Sequence, residues 1–317
     1  MIRARTAWPP VTENLAYPCR YEDEKRQSLP GFRHFGFLRL SLIFSTIALS
    51  LASVASGQTA SAPVSVPLVI GETFTINSNV LHEVRRINVY LPAGYADAPG
   101  ARLPVLYMPD GGMAEDFLHV AGLVQVGVGN GTMRPFILVG MENTERRRDM
   151  TGPTNDPDDR KIAPRVGGSA AFRQFVRKEL MPRIKERYRT TDETAIVGES
   201  LAGLFVVETL FLEPDLFDTY IAFDPSLWWN KGRLVSESSD RLKNWRSNPK
   251  TLFIATSSNS GLAQLGGQLA TSLRSNTESG LKWQLVSLPD ETHATIYHPA
   301  ALRAFRLLFK PAAVPDR

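Results

Sequence analysis

A succession of short apolar runs, separated by stretches of helical periodicity, constrains this fold more than any other sequence feature. Leu103–Met108, Phe136–Met141, Thr219–Phe223, Thr251–Ala255 and Lys282–Leu288 have the length and composition of strands. Val66–Ile76 and Arg85–Leu91 also read as strands, the second alternating so that Ile87 and Val89 share a face. Between them, Phe172, Phe175, Val176, Leu180 and Ile184 recur at helical spacing, and helices are expected around Leu262–Ser275 and Pro299–Phe309. Continuous apolar runs such as LPVLYM suit strands buried on both faces. Strands alternating with helices predict βαβ units, hence an α/β fold with a mostly parallel central sheet and helices on both faces.

The segment Thr194–Phe205, TAIVGESLAGLF, adds a chemical constraint. An apolar strand ends at Gly198, Ser200 occupies the turn, and a helical stretch follows at once, as in the G-x-S-x-G nucleophile elbow of an α/β-hydrolase, with Ala202 in place of the last glycine. Such a short match arises by chance in roughly one chain in five of this length, so its neighbours must carry the argument.

A serine hydroxyl needs a base, and histidine is the base matched to neutral pH. Of five histidines, His34, His82 and His119 precede the elbow; His293 and His298 follow it, between the last strand and the last helix. His293 lies sooner after the strand and is the candidate base, with His298 expected to cap or pack against the helix. The developing oxyanion needs N–H donors. Leu201, opening the helix, is one candidate, and Gly112 in the Asp110-Gly111-Gly112 loop is the other, with Gly111 as alternative. An acid that orients the histidine is expected after Thr251–Ala255, where TSSNSG offers no carboxylate. Asp224, after the preceding strand, is the best substitute; Asp290 and Glu291 lie closer to His293 in sequence, and a serine–histidine pair without an acid is the remaining alternative.

At 317 residues, 43% hydrophobic and 21% charged, the chain can bury a large core. The formal charge is +4, but the first 57 residues hold 7 Lys/Arg against 4 Asp/Glu, leaving 29 against 28 beyond them. That balance gives no reason to expect nucleic acid as a partner. No H-E-x-x-H, C-x-x-C or EF-hand spacing occurs, so neither a metal nor another cofactor is expected.

Residues 40–55, LSLIFSTIALSLASVA, follow Arg33 and Arg39 and lead into Ala55, Ser56 and Gly57, the pattern of a secretory signal peptide. The expected organisation is a preface and signal peptide over 1–57, a linker over 58–65 and one hydrolase domain over 66–312, exported to the periplasm or the medium. Residues 1–30 are a long preface for such a signal and suggest a start codon assigned too far upstream. Cys19, the only cysteine, lies in this preface, so the mature chain has no disulfide.

Six blocks carry a wider resemblance: GETFTI with RRINVYLPAGY, LPVLYMPDGG, VGMENTERRRDMTGP, VGESLAGLF, FDTYIAFDPSLWWN, and ETHATIYHPAALRAFRLLF. In this order, from about Gly71 to Phe309, they make the sequence similar to the Putative esterase family of α/β-hydrolases, which includes esterase D and the enterochelin and salmochelin esterases. The resemblance implies a serine esterase acting on a small-molecule ester, possible substrates being siderophore, acyl-sugar and simple short-chain esters, with Ser200 as nucleophile and His293 as base. An acyltransferase, or a non-catalytic binding protein on the same fold, is the alternative. In siderophore-esterase-like members the block containing Asn143, Arg146 and Arg148 lines the pocket rim; the competing reading is an ion-pair network between Arg146–Arg148 and the acidic stretch NDPDD. Trp228 is a candidate pocket wall or the edge of the core.

Overall fold

The computed structural model describes residues 65–245 and 249–311. The signal peptide, Cys19, His34 and the proposed start-site preface fall outside these residues. Eight strands form one sheet: β1 (Glu72–Ser78), β2 (Glu83–Tyr90), β3 (Leu103–Met108), β4 (Ile137–Met141), β5 (Thr190–Glu199), β6 (Thr219–Phe223), β7 (Thr251–Thr256) and β8 (Lys282–Ser287). Their spatial order is β1-β2-β4-β3-β5-β6-β7-β8. The β1–β2 and β2–β4 pairs are antiparallel and all others parallel. The helices are α1 (Phe117–Gly129), α2 (Arg146–Asp149), α3 (Pro157–Lys161), α4 (Ser169–Phe175), α5 (Met181–Arg187), α6 (Leu201–Leu212), α7 (Trp229–Ser236), α8 (Ser238–Lys243), α9 (Ser260–Arg274) and α10 (Tyr297–Leu308). A π-helical turn, Val176–Leu180, joins α4 to α5.

The period of two along each central strand divides the core between the faces. Tyr107, Ile196, Tyr220, Ala222 and Ile254 point to one side, where α4, α5, α6 and α9 cover them. Met108, Ala195, Val197, Ile221, Phe223 and Phe253 point to the other, under α1 and α10. Strands buried on both faces read as uninterrupted apolar runs, and each fully buried Leu, Val or Phe side chain contributes about 1.5–3 kcal/mol. Helix α6 is buried nearly all round, with Leu201 through Val207 and Leu210 in the interior, so the segment after the elbow is a core helix rather than an amphipathic one.

One expectation needs correction. The first strand begins at Glu72, not Val66, and Leu68 and Val69 are exposed. The β1–β2 register ends at Glu72↔Val89, so the apolar residues before it have no strand to pair with. The polar stretch after β4 holds regular structure. It folds into α2 and α3, the latter capped by the Asp156 carboxylate accepting the Asp158 N–H at 3.0 Å, and it buries Asp149 and Asp159.

Candidate active site

Three successive strands in the sheet, β3, β5 and β6, each lead at their carboxyl ends into a non-glycine residue with left-handed backbone: Asp110 (φ 55°), Ser200 (φ 59°) and Asp224 (φ 38°). Such conformations cost on the order of 1–3 kcal/mol each and persist where the surroundings impose them. At Ser200 the N–H donates to Phe223 O at 3.0 Å, while its carbonyl accepts from Leu204 N–H and Ser226 N–H, each at 2.9 Å. The turn closes only because residue 198 is glycine: a Cβ there would lie 2.7 Å from the Ala202 carbonyl carbon. Sharp reversal of the backbone turns Ser200 out of the sheet plane, and α6 starts at Leu201, whose N–H, like those of Ala202 and Gly203, has no intrahelical acceptor.

The loop after β8 brings His293 to this serine across 93 residues of sequence, with Nε2 3.1 Å from Ser200 Oγ. Its Nδ1 lies 3.1 Å from Asp224 Oδ2. With the Nδ1–H donating to Asp224, Nε2 is left as the acceptor of the Ser200 O–H. Asp224 is fully buried and is fixed by Ser257, whose N–H reaches Oδ1 at 2.7 Å and whose hydroxyl reaches Oδ2 at 2.5 Å. The loop after β7, which lacks the expected carboxylate, therefore supplies a serine that holds the carboxylate of the neighbouring strand. Burial opposes ionisation of Asp224, but the hydrogen bonds from His293 and Ser257 outweigh it and keep the carboxyl below its usual range. The Asp224 hydrogen bond in turn raises the His293 pKa above its ordinary value, against the effect of burial. Asp290 and Glu291 make no hydrogen bond to His293; the Glu291 carboxylate accepts from Thr295 Oγ at 2.7 Å. His298 is the second residue of α10, its ring 5.5 Å from that of His119.

Glu199, unremarked in the sequence, stands beside this arrangement: its Oε1 is 3.2 Å from His293 Nδ1 but lacks hydrogen-bond geometry to any group. The signal was available, because a carboxylate directly before the serine in GESLA must sit at the same strand end. The oxyanion donors differ from expectation in detail. The Gly111 N–H is committed to Met141 O at 2.9 Å, which removes it as a donor. The Gly112 N–H is directed at a carboxylate, Glu115 Oε2 at 2.7 Å, so an incoming oxyanion would have to displace that side chain.

A cleft of roughly 320 Å³ opens at Ser200, lined by Ser226, Trp228, Asn259, Leu262, Leu265 and His293. Trp228 forms its wall and is partly exposed. Asn143, Arg146 and Arg148 do not line it. Asn143 donates to Asp110 Oδ1 at 2.6 Å, and Arg146 grips the same carboxylate with Nε at 2.7 Å and Nη2 at 2.8 Å. Arg148 pairs with Glu83 and Asp149, each at 2.7 Å. Their partners are thus strand-end and helix carboxylates, not the NDPDD stretch, and only Arg147 reaches toward that region, through Ile162 O at 2.6 Å. Among the described residues no group of three His, Cys, Asp or Glu side chains is arranged to hold a metal.

A mostly parallel eight-stranded sheet with a strained serine between the fifth strand and its helix is the α/β-hydrolase fold. Residues 78–272 match the family described as Putative esterase, and the chain belongs to that family. It is 27% identical over 258 residues to the ferri-bacillibactin esterase BesA of Bacillus subtilis, covering 73% of this chain and 87% of the relative. It is 31% identical over 199 residues to a siderophore triacetylfusarinine C esterase of Aspergillus fumigatus, covering 56% and 62% respectively. Among solved structures, an IroE-like serine hydrolase from Shewanella oneidensis superposes with a TM-score of 0.69 at 30% identity, over 76% of this chain and 80% of that one. Fold and family together place the protein among ester hydrolases.

Proposed function

We propose that the protein is a serine esterase that hydrolyses a small-molecule carboxylic ester through an acyl-enzyme on Ser200. The observation that carries this reading is His293 bridging Ser200 Oγ and Asp224 Oδ2 at 3.1 Å on either side. Ser200 Oγ attacks the ester carbonyl as its proton passes to His293 Nε2, and Asp224 holds the imidazole tautomer and faces the imidazolium. The oxyanion is received by the Leu201 N–H and, once Glu115 swings away, by the Gly112 N–H. Collapse breaks the carbonyl–oxygen bond, and the alcohol leaves with the proton from His293. Water then attacks the acyl group, gives its proton to His293, and the acid departs as Ser200 recovers that proton.

The relatives act on siderophore esters, which favours a siderophore-type ester as the substrate class. The cleft is walled by Trp228, Leu262 and Leu265, which suits an aromatic or aliphatic body around the ester, and the arginines that would have lined the rim are engaged elsewhere. We assign the esterase domain to residues 66–312 and export to the signal-like segment at 40–57.

Fluorophosphonate labelling tests the nucleophile: wild-type protein labels and Ser200→Ala does not. A panel of p-nitrophenyl esters and a ferric trilactone siderophore tests the substrate class. Labelling that persists in Ser200→Ala would refute the mechanism; cleavage of simple esters with the trilactone untouched would refute the substrate class alone.

A further inference from the structure

We propose that Glu199 is a second positioning carboxylate for His293, an alternative acceptor of the Nδ1–H beside Asp224. The proposal rests on the reading of Ser200 as nucleophile and His293 as base. Two oxygens face one imidazole nitrogen, Asp224 Oδ2 at 3.1 Å and Glu199 Oε1 at 3.2 Å, and only the first accepts a hydrogen bond in this arrangement. Glu199 Oε1 is buried with no partner, a costly state for a carboxylate oxygen unless a donor is within reach. The one positioned to serve it is the Nδ1–H, which a small rotation of the imidazole would redirect.

The backbone puts the two carboxylates there together. Glu199 ends β5 and pairs with Phe223, the residue before Asp224, in the parallel ladder. Ser200 N–H ties the same level of the sheet to Phe223 O. The β5–β6 pairing that sets the elbow therefore also sets the backbone of Glu199, so the same hydrogen bonds that aim Ser200 place Glu199 beside His293.

The charged surroundings define when each carboxylate acts. Burial pushes the Glu199 pKa up to about 8, against His293 and Arg146 and with the aid of Asp110 and Asp116. Asp110 follows β3, Asp116 precedes α1, Arg146 lies in α2, Asp224 follows β6 and His293 follows β8, and from α10 comes Tyr297, whose buried hydroxyl has no partner and is itself shifted upward. At neutral pH Asp224 carries the charge and holds the Nδ1–H while Glu199 is in its acid form. Above its pKa, or when Asp224 is absent and the Nδ1–H has no other carboxylate in reach, Glu199 ionises and takes the Nδ1–H.

The test is the pH dependence of kcat/KM on p-nitrophenyl butyrate, with Ser200→Ala as the blank. Asp224→Ala is expected to lose about 10²-fold at pH 7, less than the roughly 10⁴-fold typical of a sole orienting acid, and to recover several-fold by pH 9. Asp224→Ala/Glu199→Gln is expected to lose about a further 10²-fold and to show no recovery. A double variant as active as Asp224→Ala, or an Asp224→Ala rate that does not climb with pH, overturns the proposal. Should Asp224→Ala fail to fold, the single variant Glu199→Gln decides. Its deficit relative to wild type must grow between pH 7 and pH 9.5, to about threefold, and a deficit independent of pH overturns the proposal. Full activity in Ser200→Ala would instead bring down the serine reading on which it rests.

Discussion

Arg85, fully buried, and Glu199, largely buried with 15% of its side chain exposed, are both ionisable groups at the sheet, and they are treated in opposite ways. Arg85, with no exposure, donates to Asp149 at 2.6 Å, Thr144 at 2.7 Å, Glu83 at 2.9 Å and Glu142 O at 3.0 Å, with Phe172 5.1 Å away under its guanidinium. Arg148 closes the network onto Glu83 and Asp149. Burial disfavours the Glu83 carboxylate, but hydrogen bonds from Arg148, Thr144 and Arg85 overcome this and hold its pKa at about 2. Glu199 has no such donors and is driven the other way, up to about 8. A cluster rich in charge-assisted hydrogen bonds, with only Arg85 Nε left over, fixes the connection between β2 and α2, whereas one poor in donors leaves proton affinity available beside Ser200. Structural charge is compensated in place; chemically useful charge is left partly uncompensated.

The comparison is broken most completely at the site. Ser200→Ala should reduce kcat/KM by about 10⁴-fold or more while leaving the urea midpoint near wild type, since only a hydroxyl is removed. Asp149→Ala should do the reverse. Stranding the Arg85 guanidinium is expected to cost about 3–5 kcal/mol in urea unfolding, while the folded fraction keeps its turnover number. An Asp149→Ala protein of normal stability would mean the network is not the structural knot described here.

Glu199→Gln sharpens the contrast through pH. A carboxyl whose folded pKa lies above its unfolded value binds more protons in the native state, so its contribution is intact below about 4.5 and is lost as pH rises toward 8. The amide cannot ionise, so the variant should gain about 1–3 kcal/mol over wild type at pH 9 and little at pH 5. Glu83 works with the opposite sign: its contribution is present above the ordinary carboxylate range and is lost only as pH falls toward 2. Wild type and Glu199→Gln with parallel stability–pH curves would contradict the burial effect. The smallest effect expected is that of Trp228→Ala, which should raise KM about 3–10-fold with kcat little changed, because its ring walls the cleft without touching the reacting atoms.

Much of this was legible in the chain because strands buried on two faces announce themselves. LPVLYM and TYIAF were located to the residue, and the elbow followed from Gly198 and Ser200 at a strand end. Asp224 was reachable by elimination, since the usual loop offered only serines, but its support by Ser257 was not, because a hydroxyl bonding a distant carboxylate leaves no periodicity. Glu199 belongs to the same motif, but the pattern of a serine among small residues says nothing about the side chain between Gly198 and Ser200. The arginines of the Asn143–Asp149 block were misplaced for a related reason. Local spacing put them near NDPDD, while their partners Glu83 and Asp110 come from other strands, and long-range pairing of charges has no local pattern. Exposed Leu68 and Val69 show the converse, apolar residues without a strand to join.

The lone histidine bridge also has a meaning in time. Ser200 and Asp224 follow neighbouring strands, but His293 arrives 93 and 69 residues later in the chain, on a loop suspended between β8 and α10. Among the described residues strand β8 pairs only with β7, so it closes the sheet on that side. A chain made from its amino terminus therefore presents Ser200 long before the histidine that pairs with it. Until α10 has been made and docked, the loop that carries His293 is held at one end only, so the proposed site is completed by the carboxyl-terminal part of the sheet.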